Sequence, residues 1–167
     1  MAQPVFETKT IIAEKVIAQK LGISNKSGEI TAEISGEGGL KMYDKNGRTR
    51  VVLTLIGDET PVLLLCDAQG NKRVVLGVTD DMSSFIIQDS NELPRASIIL
   101  NSNELVSYKL YDRKGILRSD ISCNEEVGPS VCLYDSDADL RMAIHLTDDN
   151  PQVAIIDKSQ NPISTLP

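Results

Sequence analysis

The sequence has no tryptophan, two phenylalanines, four tyrosines and one histidine, so aromatic residues make up only 4% of 167. A core built from this chain is therefore aliphatic, made of Leu, Ile and Val. The lone histidine, His145, has neither a second histidine nor a cysteine pair to complete a zinc site. It stands between Ile144 and Leu146 and is expected on the opposite side of a strand from them, as a structural residue rather than a catalytic one. Cys66, Cys123 and Cys132 are odd in number and lack a metal-like CxxC spacing, which points to reduced thiols acting as small hydrophobes. Clustered Lys and Arg are also missing. A net charge of −7 and a pI near 4.7 exclude nucleic acid as an expected partner.

Long apolar runs are absent too. No stretch approaches the ~18 apolar residues of a membrane-crossing helix, so no membrane insertion is expected. The segment "MAQPVFETKT" lacks the basic start and apolar centre of a signal peptide. The expected location is the cytoplasm, or a virion or appendage reached without a signal peptide. Nucleophilic catalysis needs a nucleophile with an oriented base, and no such set stands out. "ISGEGGL" (Gly36, Gly38, Gly39) precedes neither a Lys-Ser/Thr pair nor a helix, so it is a turn and not a phosphate cradle. "DKNG" and "DSDAD" lack the 12-residue loop and closing Glu of a calcium site. Neither a cofactor nor an enzymatic activity is expected.

What is present is a repeat. Asp recurs at Asp44, Asp67, Asp89, Asp112, Asp135 and Asp157, at intervals of 23, 22, 23, 23 and 22 residues. Six residues after each come Arg50, Arg73, Arg95, Arg118 and Arg141, with Ile163 in the last unit. A degenerate copy lies 19 residues upstream, where Asn25 and Gly28 take the Asp and Gly places. Such periodicity outranks the other signals and defines six units and a partial one. Apolar pairs spaced by two flank each turn, for example Leu63 and Leu65 before Asp67, Leu76 and Val78 after it. That is the strand period, so each unit is two short strands.

The Asp-x-x-Gly between them is a hairpin connection, with Gly47, Gly70 and Gly115 in the left-handed position of a bulged turn. Where Glu92, Ala138 and Gln160 replace Gly, a different turn type is expected. Asp and Arg are expected to satisfy backbone groups and to pair along the row of turns. Pro61, Pro129 and Pro151 mark the start of the strands that lead into the next Asp.

The expected fold is all-β: six to seven two-stranded units of 22–23 residues in an antiparallel meander or a solenoid. Residues 1–9 form a flexible tail, 10–28 a helix or extended segment with the degenerate first unit, and 29–167 the β-repeat domain. As a helix, "IIAEKVIAQKL" would bury Ile12, Val16, Ile17 and Leu21 and end at Gly22. Val51 to Cys66, apolar at successive positions, is expected to be the most buried stretch and covered on both faces. By contrast Ser107, Lys109, Arg118 and Asp120 are expected to point away from the apolar side of their hairpin.

The pattern L-x-L-x-D-x-x-G-x-x-R-x-x-L, over about residues 21 to 160, resembles the short repeats of many bacterial and phage proteins. The start, "TIIAEKVIAQKLGISNKSGEI", is similar to segments that lead into the β-rich shafts of phage tail-fibre and tail-spike proteins. The resemblance implies an intertwined, often trimeric, structural or attachment module without an active site of its own. Departures at Glu92, Ala138 and Gln160, and the lack of a glycan-binding tip, leave the receptor-binding part unassigned. The expectation is a self-associating structural protein, a homo-oligomer and most often a trimer. The alternative is a monomeric β-barrel, prism or propeller-like module that binds a protein or glycan through its loops.

Overall fold

The computed structural model describes residues 12–57, 59–124, 128–147 and 149–166. The expected tail at residues 1–9 lies outside them. Every hairpin has the two strands that the apolar spacing predicts. The first three are β1 (Lys20–Ser24) with β2 (Ile30–Ser35), β3 (Gly39–Tyr43) with β4 (Thr49–Ile56), and β5 (Thr60–Cys66) with β6 (Lys72–Val78). Next come β7 (Met82–Gln88) with β8 (Pro94–Asn101) and β9 (Val106–Tyr111) with β10 (Leu117–Asn124). The last are β11 (Gly128–Tyr134) with β12 (Leu140–Thr147) and β13 (Asn150–Ile156) with β14 (Pro162–Leu166). No helix forms at residues 12–19, which run without regular structure into β1.

The fourteen strands make one sheet, in sequence order from β1 to β14 and antiparallel throughout. It is a meander, and the solenoid alternative falls away. So does the barrel: β1 and β14 are not neighbours, and each strand contacts only the strands beside it in sequence. Apart from one skipped residue beside each turn of the repeat, the pairing register holds, so alternate residues line opposite faces along the middle of the sheet. Because the order is sequential, all the Asp turns fall on one edge and the Pro-bearing connections on the other.

A single layer cannot enclose a core. The buried apolar residues among those described are Ala32, Val62 and Ala143, scattered over three hairpins. Val51 to Cys66 is therefore not the most buried stretch in one chain. Val62 is buried and Leu64 partly so, but Leu53, Leu55, Ile56 and Leu65 are exposed. The apolar run is a two-sided strand pair lying in a sheet that nothing covers. Ser107, Lys109 and Asp120 lie on the other face from Tyr108, Leu110 and Ile121, as the alternation predicts, whereas Arg118, expected with them, is skipped by the pairing and turns to Asp112 instead.

Candidate functional site: a turn ladder and a charge-free face

Each Asp turn closes the same way. In the second unit Gly47 N–H donates to Asp44 O at 2.9 Å, and Asp44 N–H donates to Arg48 O at 2.9 Å. The Asp44 carboxylate accepts from Asn46 N–H at 2.8 Å and Arg48 N–H at 3.1 Å. The same pair of backbone donors reaches Asp67, Asp89, Asp112, Asp135 and Asp157. Asn25 does the same with its side-chain oxygen. This is a type I turn followed by a left-handed residue.

Gly47, Gly70 and Gly115 hold that left-handed position, with φ of 74°, 93° and 77°. So do Glu92, Ala138 and Gln160, at 60°, 65° and 64°, with the same backbone hydrogen bonds. A different turn type does not arise there. The Asp carboxylate and the ladder on both sides hold the backbone, and the non-glycine residue absorbs a strain of about 1 kcal/mol. Glu92 recovers part of it, because its carboxylate accepts from Lys72 N–H at 3.1 Å and pairs with Lys72 Nζ at 3.2 Å.

The carboxylates of Asp44, Asp67, Asp112 and Asp135 are acidified by these donors. Backbone N–H groups of Arg48 and Asn46 hold Asp44 below its ordinary range, and Asp137 N–H does the same for Asp135 with help from Arg141. At Asp67 and Asp112 partial burial pushes upward. It is outweighed by the Asn71, Gln69 and Arg73 donors at Asp67, and by Lys114, Ile116 and Arg118 at Asp112.

The arginines have a place that spacing alone does not reveal. In each unit the pairing steps over one residue: Met42 faces Val51 and Tyr43 faces Thr49, so Arg50 is skipped. Arg73, Arg95, Arg118 and Arg141 are skipped likewise. Each is the extra residue of a β-bulge. From there Arg50 Nε donates to Cys66 O at 2.8 Å, Arg73 Nε to Gln88 O at 2.9 Å, and Arg118 Nε to Tyr134 O at 3.0 Å. Arg95 Nε reaches Tyr111 O at 3.2 Å, and Arg141 bonds Asp157 O. Each guanidinium also lies beside its own unit's Asp, at 3.4 Å for Arg73–Asp67 and 3.6 Å for Arg118–Asp112. Every arginine thus fastens its own turn to the strand that opens the next unit.

An eighth turn of this geometry lies on the opposite edge, where no Asp marks it. Asn101 accepts from Asn103 and Leu105 N–H, and Glu104 sits at φ 56°. Its signal was an Asn in place of Asp, off the 22–23-residue period.

The two faces differ in kind. On one, the middle row runs Leu40, Leu53, Leu63, Leu76, Phe85, Ile98, then Tyr108, Ile121, Val131, Ile144, Val153. The row nearer the Asp turns runs from Met42 through Val51, Leu65, Val74 and Ile87, then Ala96, Leu110, Ser119, Leu133, Met142 and Ile155. The third row runs from Leu55 through Pro61, Val78, Ser83 and Leu100, then Val106, Cys123, Pro129, Leu146 and Pro151. No charged side chain stands in these three rows. They are open to water: Leu53 is 48% exposed, Ile98 49% and Ile144 43%. A trough of about 460 Å³ follows this face from Ile98 to Pro151.

The other face carries the charges. Lys109 pairs with Asp120 at 3.9 Å, and Lys20 with Glu33 at 2.5 Å. Burial, then Cys132 and Asp120 beside it, raise the Tyr134 phenol to about 12. His145 is on this face, its Nε2 2.9 Å from Gln152 Oε1. Cys66, Cys123 and Cys132 are free thiols, and no group of metal-ligating side chains occurs among the described residues. No helix there is long and apolar enough to cross a membrane. No protein-family model matches the chain, and no curated protein matches it.

Proposed function

We propose that this chain is a structural or attachment protein, a β-repeat array that self-associates and performs no catalysis of its own. The observation that carries the reading is the charge-free face. Three rows of Leu, Ile, Val, Met and Phe along a one-layer sheet present far more contiguous apolar surface than a solitary soluble protein ordinarily shows. Rigid repetition suits the role: seven like hairpins, five of them fastened to the next by a bulge arginine, build length at the same local cost per unit. His145 fits this reading, because the partner of its ring among the described residues is a neutral glutamine, Gln152. The likeness to tail-fibre shafts favours three copies, whereas two faces meeting directly would make two, and the measured mass distinguishes them; a virion, an appendage or the cytoplasm is the setting. A receptor, protein or glycan, would be met by the array as a whole. Light scattering on the purified chain is the test: a mass of two or more copies is expected, and a monomer at micromolar concentration overturns the proposal.

A further inference from the structure

We infer that the charge-free face is covered by the same face of a second copy of this chain, and that copies join through these faces rather than through the end strands. The inference rests on the self-association proposed above and adds where the copies touch.

Size comes first. Fourteen strands ~4.8 Å apart make a sheet about 62 Å long, and strands of five to eight residues make it about 20 Å wide. The face therefore offers about 1,200 Å², above the ~800 Å² per partner of a standard stable interface. Charge comes second. With a net charge of −7, two copies repel, but the three apolar rows add no charge to the contact, and the paired ions Lys109–Asp120 and Lys20–Glu33 lie on the far side. Burying the three rows themselves desolvates no ion, and the Asp–Arg pairs of the turns flank them along one edge. Shape comes third. Two sheets of one sequence share one twist, and sheets of like twist pack aligned at about 30° with side chains interdigitating ~10 Å apart.

The ends of the sheet are built differently. From the second unit to the sixth, each unit is held to the next by the arginine in its bulge. In the last unit Ile163 occupies that place, 68% exposed, with no guanidinium to reach a following strand. Stacking of sheets end to end would thus lack the contact that five of the six internal junctions have, the first being the one where Thr31 takes the bulge.

Sedimentation equilibrium on the full chain tests this with neighbouring residues of β8, Ile98 on the charge-free face and Ile99 on the other. Ile98→Ala is expected to weaken association by about ten-fold or more, and Ile99→Ala by no more than about two-fold. Where the assembly is too tight to dissociate by dilution, the same comparison is made at the urea concentration that separates the copies. An assembled wild type in which Ile98→Ala has no effect, or in which Ile99→Ala weakens association as much, overturns the face-to-face contact and leaves self-association standing. A monomeric wild type overturns both.

Discussion

At the scale of single residues the turns set the terms. Gly70 holds φ +93° with nothing within 4 Å of an added Cβ, so Gly70→Val meets no clash and its cost is conformational, about 1–2 kcal/mol. Gly39 is tighter: a Cβ there would lie 2.1 Å from Leu53 O and 2.9 Å from Thr54 Cα. Gly39→Ala should therefore lose more than Gly70→Val in a urea melt. Ala138→Gly should gain up to about 1 kcal/mol, because Ala138 already holds a left-handed φ without a compensating contact. An unchanged midpoint for all three would contradict the turn geometry. Asp112 tests the carboxylate. Asn25 and Asn101 show that an amide oxygen accepts the same backbone donors, so Asp112→Asn should melt above Asp112→Ala. Since the folded carboxylates are held below their unfolded values, their stabilisation is full above the ordinary Asp range and is lost as pH falls through the folded value. Acid melts should steepen below pH ~4, and less so in Asp112→Asn.

At the scale of the hairpin, the array should lose a whole unit without losing its fold. Deleting residues 89–111 removes β8 and β9, brings Asp112 directly after Gln88, and leaves Arg73 a carbonyl to hold. Phe85 would then face Ile121 in place of Ile98. A cooperative melt and a retained strand signature in circular dichroism are expected; an unfolded product would show that the units are not equivalent. Much of this was legible in the chain. Asp at every 22–23 residues located the turns, and Leu63 with Leu65 located the strands. The bulge was not legible, because Arg50 reads as one more position until the pairing of Thr49 and Val51 shows that it is skipped. Nor was the left-handed Glu92, since its tolerance comes from a ladder and a lysine 20 residues away. Asn101 went unseen because it lies off the period.

At the scale of the whole molecule, alternation determines which side meets water, and the sequence was ambiguous there. Val51 to Cys66 is apolar on both sides, and only the full register separates Leu63, in the charge-free row, from Leu64 on the charged face. If copies join by their faces, assembly thickens the particle and leaves its length near the ~62 Å of one sheet. Small-angle scattering should show a cross-section that grows on association; a length that doubles with each added copy would point to the end strands instead.

The bulge arginines also have a mechanical consequence. Because each strand touches only its sequence neighbours, a load applied between β1 and β14 pulls across the strands, and it meets one hairpin at a time. The ladder then opens like a zipper, with no shearing of many bonds at once. Each release frees one unit of 22 or 23 residues, about 75–80 Å of chain, and what resists is the backbone ladder between neighbouring strands together with the guanidinium that joins a turn to the next strand from the second unit to the sixth.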